Sequence, residues 1–528
     1  MKKLLALLLC LCFLLSSCGK NPEHTDPNTT EPTEESSELS GDASEESEEQ
    51  IGKVPDESFG LSYLPQYGLN PYTCTATVNR ALFSLMYESL FVVTQDFTAS
   101  PVLCKSFEST AGGTLYRFKL LDDAEFSDGT ALSSEDVKVS LQEASKSPLY
   151  SARLAHIDSI LTPDSQTVEL ILDTPYENFA LMLDVPIVKA STIADTHPLG
   201  TGAYYIERQT LYSNPHWWKA EHGVLSATQI RLSSAKESND LRNQFEFGGT
   251  DLVYCDPNST AAIGFRCDYE IWEAPTTIMH YIGFNLQRGW FIDEAFRRSV
   301  TYILDRDRYA NEAYGGFAVP TSLACSPYSP LYDEQLAEKY DFAPAKFQTA
   351  LNASGILTSP QYEGYSGVLL VCLDDPARVK LANTICKTFN DAGLAMTVNA
   401  LEKKQYETAL ENKAYDLYIG EIRLTADFNL TSLLKNTQST QFSTVSTAGL
   451  IALCEGALAN SGSYSELYRK LLEAAPICPM VFKSYAVYVT RGEISNNTPG
   501  VDLVFHDHTT ERTLADAYQT YREEVPTP

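Results

Sequence analysis

The chain has 528 residues, with 39 Lys and Arg against 69 Asp and Glu, a formal net charge of −30 at pH 7. A surplus of that size is repelled by phosphate backbones and by anionic lipid, so it argues against nucleic acid and against docking on a charged membrane. Roughly 470 residues follow a polar leader, a length that fits two or three domains.

Met1-Lys2-Lys3 is a positive n-region, Leu4 to Leu15 is an apolar stretch far shorter than the ~20 residues of a bilayer span, and Ser16-Ser17 puts small residues before Cys18. This pattern resembles the lipobox of bacterial lipoproteins. The resemblance implies a signal peptide over 1–17, lipidation of Cys18 and a mature chain tethered outside the cytoplasmic membrane. The alternative is an ordinary cleaved signal whose site ends in Cys. From Gly19 to Glu57 there are 13 acids against Lys20 and Lys53, and almost nothing to bury, so 18–57 reads as a disordered acidic linker. Its reach is about 35 Å at 5 to 6 Å per root residue. With Lys2 and Lys3 set aside, residues 58–528 still carry −21.

In the folded part, Leu115 to Leu120 is strand-like and Ser127-Asp128-Gly129-Thr130 is a turn. Ser133-Ser134-Glu135-Asp136 reads as a capping box opening a helix with Val137, Leu141 and Ala144 on one face. Strands are expected at Thr167 to Leu172 and Gly202 to Glu207. Asp293 begins a helix with Phe296, Val300, Ile303 and Leu304 inward and Arg297 and Arg298 on the wet side. Gly367 to Leu373 reads as a buried strand. Asp375-Pro376 then caps a helix with Ala382, Ile385, Cys386 and Phe389 at i, i+3, i+4 and i+7, closed by Gly393. Leu394 to Leu401, Lys403 to Lys413 and Tyr415 to Ile422 continue as strand, helix and strand. That alternation predicts a parallel sheet covered on both faces, whose ligands sit at the carboxyl ends of the strands.

The nine cysteines after Cys18 are an odd, scattered set with no C-x-x-C, neither a disulfide scaffold nor a zinc site. Cys255 and Cys267 are the one pair near enough to suspect. His506-Asp507-His508 supplies two metal-ligand types but reads as a solvated loop. The serine-hydrolase elbow, the phosphate loop and the H-E-x-x-H helix are absent from the sequence, and adjacent acids such as Asp122-Asp123 and Asp374-Asp375 are expected in so acidic a chain, so no catalytic residue, cofactor or metal is assigned.

Ordered short motifs carry a resemblance: Tyr87-Glu88-Ser89-Leu90-Phe91; Phe126 to Thr130 with Leu132 and Glu135-Asp136-Val137; Gly200 to Tyr204; Asn214-Pro215 with Trp217; Phe284-Asn285 with Phe291-Ile292-Asp293; Tyr415-Asp416-Leu417; and Thr425-Ala426-Asp427-Phe428. Over roughly Leu61 to Tyr488 the chain resembles the extracellular solute-binding proteins of the oligopeptide, dipeptide and nickel class. The resemblance implies an α/β, two-lobed bivalve of the type II periplasmic-binding-protein kind, each lobe a mixed sheet flanked by helices. Lobe 1 would be 58–274 with a subdomain about 92–196, lobe 2 would be 275–486, and 487–528 would return to lobe 1. The crossings would lie near Ile278 to Asn285 and Met480 to Val487.

By the same resemblance, Arg423 to Asp427, with Thr425 between them, runs extended beside the ligand like an added strand, and Asp427 receives a ligand α-ammonium. The alternative is that Asp427 caps a helix starting at Phe428 or Asn429. Asn70-Pro71-Tyr72-Thr73 would line the opposite wall with Tyr72 stacked on the solute, against the alternative of a plain turn. Trp290 and Tyr314 are further aromatic candidates, for which core is the rival reading. Two departures bear on the ligand: Leu424 replaces a common tryptophan, and Glu421 stands where one peptide-binding branch has an arginine. The expectation is a monomeric, lipid-anchored receptor facing the extracellular or periplasmic side. It would bind a small-molecule or oligopeptide ligand and hand it to ABC permease and ATPase subunits. The rival is a surface lipoprotein acting as ligand sensor or chaperone-like module.

Overall fold

The structure is a computed structural model that describes residues 59–110, 112–219, 227–259, 264–435, 447–494 and 497–505. The leader, Cys18, the acidic linker and His506-Asp507-His508 lie outside the described residues. No helix among the described residues is long and apolar enough to cross a membrane.

Eleven strands form one mixed sheet: β1 (Phe59–Tyr63), β2 (Tyr204–Glu207), β3 (Thr210–Ser213), β4 (Gln229–Ser234), β5 (Leu252–Cys255), β6 (Tyr269–Phe284), β7 (Ala318–Pro320), β8 (Gly367–Cys372), β9 (Met396–Leu401), β10 (Leu417–Arg423) and β11 (Ile477–Thr490). Their order is β9-β8-β10-β6-β11-β5-β1-β4-β3-β2, with β7 on β11. The long antiparallel pair β6 and β11 therefore joins a first half of the sheet, β1 to β5, to a second half, β8 to β10.

The joint is visible in the register. Tyr269 to Pro275 pairs with Ser484 to Thr490, Met279 to Gly283 pairs with Ile477 to Phe482, and the ladder breaks between Pro275 and Met279. Pro275 has no N–H to give the ladder, and the Thr276 hydroxyl fills in: it donates to the Lys483 carbonyl at 2.6 Å and accepts from Ile278 N at 3.1 Å. A second shift lets Pro479 sit at a bulge inside an otherwise central strand. Pairing stops at Pro275, the residue that has no donor for the ladder.

In the second half, β8 lies between β9 and β10, parallel to both, with helices Pro376–Asp391 and Lys403–Glu411 as crossovers, as the alternation predicts. Asp375 accepts from Arg378 N at 3.0 Å, Pro376 occupies the first turn, and Gly393 follows at φ +95. Leu381, Ala382, Ile385 and Phe389 pack with Leu369, Val371, Leu417 and Ile419 in one apolar core. The first half carries a four-stranded antiparallel sheet, Cys104–Thr110, Leu115–Leu120, Thr167–Leu172 and Ile157–Asp164 in that order, and the helix Ser134–Ala144 opens with the expected capping box of Ser133 and Asp136.

Three expectations need correction. The strand expected from Gly202 starts at Tyr204, because Gly202 lies against the Met86 backbone, where a Cβ would stand 2.5 Å from the Met86 carbonyl carbon. Arg297 is not on the wet side: it is 5% exposed, and its guanidinium donates to the carbonyls of Phe291 and Ile292 at 2.8 and 2.7 Å and to those of Ala474 and Ala475 at 3.3 Å. The latter two end the helix Tyr464–Ala474, whose last carbonyls need donors. Finally, all nine cysteines from Cys74 onward are free thiols; Cys255 and Cys267 pack beside Phe245, Val253, Phe265 and Tyr488 instead of bonding.

Candidate functional site

Parallel pairing places the carboxyl ends of β8 and β10 on one edge, and a paired polar cluster stands there. Asp375, which caps the helix Pro376–Asp391, meets Arg378 Nε at 3.2 Å and Lys483 Nζ at 3.5 Å, and Lys483 also reaches Asp256 at 2.5 Å. His280, fully buried on β6, has Nε2 2.8 Å from Glu421 and Nδ1 2.7 Å from the Tyr314 hydroxyl. Burial pushes the His280 ring below its ordinary value against the pull of Glu421 and Asp375. Neutral, it donates Nε2–H to Glu421, which as a carboxylate only accepts, and takes the Tyr314 hydroxyl proton at Nδ1. Burial works to raise Glu421 and Asp375, but the His280 contact and the Arg378 and Lys483 charges outweigh it and hold both below the usual carboxylate range. Ligand atoms of His280, Asp375 and Glu421 lie within 4.8 Å of one another, a spacing that suits a divalent ion. Arg378 and Lys483 already neutralise that spot, so the donor set does not fit a metal. A cavity of about 370 Å³ adjoins the cluster, lined by Arg378, Lys403, Glu421, Tyr281, Tyr406 and Tyr418.

Beyond β10 the chain turns toward the first half of the molecule. Thr425 donates to Asp427 Oδ1 at 2.6 Å, and Oδ2 accepts from Tyr176 at 2.6 Å and from Tyr464 at 3.3 Å. Tyr176 comes from the first half, 251 residues away. Asp427 is fully buried, and burial raises its carboxyl above the ordinary value despite the Thr425 and Tyr176 hydrogen bonds. Phe428 next to it is held at φ +59, a left-handed conformation that is strained for a bulky residue, with its ring 4.9 Å from Phe97 and 5.3 Å from Phe482. Asp427 is not the helix cap: the helix is Thr431–Lys435, and Asn429 accepts from Thr431 N at 2.8 Å. The same seam is tied by Glu177 N to the Leu458 carbonyl at 2.7 Å and by Ser461 N to the Glu177 carboxylate at 2.5 Å. Arg423, at the end of β10, is ion-paired with Asp502 of the C-terminal loop.

Of the residues singled out in the sequence, Arg423, Thr425 and Asp427 thus lie along the seam, and Glu421 and Tyr314 meet through His280. Tyr72 is buried in the first half, its hydroxyl donating to the Pro186 carbonyl at 2.7 Å and its ring 6.3 Å from Tyr150, with Thr73 exposed beside it. Asn70 makes the turn a joint, donating to the carbonyls of Ile193 and Asp195 at 2.9 Å each. Trp290 is buried against Phe291 and Tyr365 in the second-half core. Sequence reasoning missed Tyr176, Tyr464, His280, Arg378, Lys483 and Asp502. A signal existed for two of them: His280 and Lys483 are single bases inside long apolar strands, where a charge needs a partner.

The profile of the bacterial extracellular solute-binding proteins, family 5, middle, matches residues 98–441. The glutathione-binding protein GsiB of Salmonella typhi is 23% identical over 405 residues, 71% of this chain and 77% of that protein. The crystal structure of the ABC transporter substrate-binding protein CtaP from Listeria monocytogenes superposes with a TM-score of 0.69 at 16% identity, covering 86% of this chain and 99% of that one. NikA from Brucella suis, in complex with Fe(III)-EDTA, gives 0.68 at 16% identity with the same coverage. The fold is therefore that of the type II binding-protein bivalve, and the family is one of solute-binding proteins rather than enzymes. From the span and order of these matches, the chain belongs to the bacterial extracellular solute-binding proteins of family 5.

Proposed function

We propose that this chain is the solute-capturing lipoprotein of an ABC importer, closing two lobes on a peptide-like ligand outside the cell membrane and passing it to a permease. Relatives support the class of partner and ligand: GsiB is named for glutathione, a Brucella ovis relative is a putative ABC transporter peptide-binding protein, and CtaP is an ABC transporter substrate-binding protein. Cys18 is the proposed lipid anchor. The proposed lobes are 58–274, with the 92–196 subdomain, and 275–486, with 487–528 returning to the first. The register break at Pro275 to Met279 is the proposed hinge, where a few backbone angles absorb rotation while each core stays intact.

The observation that carries this reading is Asp427. A fully buried carboxyl bridges the halves with neutral hydroxyl and backbone N–H donors and no cation. A ligand ammonium entering the opened seam would supply the missing positive charge in place of Tyr176 or Tyr464, so closure on an amine is favoured over closure on nothing. Native mass spectrometry of the protein as purified, with thermal melts across peptides, sugars and chelated metals, tests the reading. A retained peptide-like mass and a raised melting temperature are expected. A panel without response, or a solute released chemically changed, contradicts it.

A further inference from the structure

Strand β11 changes neighbours on both flanks at the same level. On one flank its ladder to β6 breaks between Pro275 and Met279, opposite Phe482 to Ser484. On the other flank it pairs with β5 of the first half as far as Cys255 against Ala486, and with β7 of the second half from Ala318 against Lys483. The gap left on that flank, at Ser484 and Tyr485, is spanned by side chains. Asp256 directly follows β5. Its Oδ2 meets Lys483 Nζ at 2.5 Å, and its Oδ1 accepts from Asn258 N at 2.9 Å, which folds the segment into an Asx turn. Asn258 Nδ2 then donates to the Tyr314 carbonyl at 3.2 Å, so a turn that leaves the first half is fastened to Lys483 and Tyr314 on the far side of the break. Lys483 is 3% exposed and also faces Asp375 at 3.5 Å. The second half thus holds a buried ammonium with its own carboxylate, and the first half brings a second carboxylate to it. A buried pair of this kind is little screened and is costly to separate, so it favours one relative arrangement of the two sides.

We propose that the Asp256 to Lys483 ion pair is a latch across the hinge, which holds the halves in the arrangement where Asp427 meets Tyr176 and slows the release of a captured solute. The inference rests on the reading of Pro275 to Met279 as the hinge and adds the contact that restrains it. Rotation at the break turns β5, with the turn that follows it, against β7 and the second-half end of β11. Asp256 then leaves Lys483 before the halves part, and the cost of separating the pair falls on opening. Lys483 keeps Asp375 throughout, because both stand on the same side of the break. The latch is therefore a first-half carboxylate that docks on a counter-charge already fixed in the second half, and it needs no solute to form.

The test compares wild type with Asp256→Asn in two readings: the radius of gyration of the solute-free protein in solution scattering, and the rate at which a peptide retained from a tryptic digest is released. Asp256→Asn keeps the Oδ1 acceptor for Asn258 N and leaves Lys483 its Asp375 partner, so it removes the latch charge and not the turn. It is expected to raise the radius of gyration above the wild-type value and to release the peptide about tenfold faster, the effect of one charged hydrogen bond that is broken on opening. Asp268→Asn removes the same charge from an exposed pair with Arg491 and is expected to match wild type in both readings. Wild-type behaviour of Asp256→Asn in either reading, with or without a lowered melting temperature, assigns the pair to local structure and overturns the latch. An equal change in Asp268→Asn assigns the effect to net charge and overturns it as well. Tyr176→Phe, which loosens the seam and not the hinge, separates the two readings: if it expands while Asp256→Asn does not, the two-lobe reading stands without the latch, and if neither expands, both fall. Retention of no peptide counts against the ligand reading and leaves the scattering comparison to decide the latch.

Discussion

Two buried carboxylates in the second half of the molecule meet opposite fates. Asp375 stands at the carboxyl end of β8 among His280, Lys483 and Arg378, and its carboxyl is held below the ordinary range although it is buried. Asp427, a few residues past β10, is more deeply buried, faces neutral donors, the hydroxyls of Thr425, Tyr176 and Tyr464 and the backbone N–H of Asn429, and is pushed up. Burial is common to both, so the difference is the cations. The cluster at Asp375 has a fixed internal counter-charge and behaves as structure. The seam at Asp427 is complete in hydrogen bonds and incomplete in charge, which is what a site for an external cation needs.

The largest expected effect breaks the Asp375 side. Lys483→Met should destabilise by about 3 to 5 kcal/mol in urea unfolding, because it leaves Asp256 without its buried counter-ion and Asp375 with Arg378 as its remaining cation. The matched pair Asp375→Asn and Asp427→Asn sharpens the contrast: about 2 to 3 kcal/mol lost for the first and less than about 1 kcal/mol for the second, whose amide still accepts from the tyrosines. The pH dependence should separate them in sign. Asp427, raised in the folded state, contributes stability that is full below the unfolded value of about 4 and is lost as pH rises through its folded value. Asp375, depressed, contributes stability present above about 4 and lost as pH falls through its folded value. Unfolding across this range should show Asp427→Asn removing a loss on the alkaline side and Asp375→Asn removing one on the acid side; the reverse assignment contradicts the comparison. A comparably small effect belongs to Tyr176→Phe, which should cost about 1 kcal/mol and increase the radius of gyration in solution scattering as the seam loosens.

What the sequence made legible was local. The capping box at Ser133, the proline-started helix after Asp375 and the β8 to β10 alternation follow from neighbours within a few positions, and they stand where expected. The family motifs singled out the segment Arg423 to Asp427 as one to run beside a ligand, and the structure has Asp427 bonded to Tyr176 of the first half. The partners of that segment were not legible: Tyr176 and Asp502 arrive from 251 and 79 residues away, and nothing in their own surroundings marks them. Arg297 was misread for the same reason, because its position on a helical wheel says nothing of the carbonyls that a distant helix end brings to it. Tyr72 reads as an aromatic wall in the sequence and sits in the structure as a buried joint to Pro186.

The central claim is that Asp427 lacks a cation which the solute supplies. Calorimetric titration of wild-type protein and Asp427→Asn with one captured peptide, in free-amine and N-acetylated forms, tests it most directly. The account expects Asp427→Asn to weaken the free-amine peptide by about 10- to 100-fold while changing the acetylated form less than about twofold. Equal losses for both peptides, or none for either, would assign Asp427 to the architecture of the seam alone.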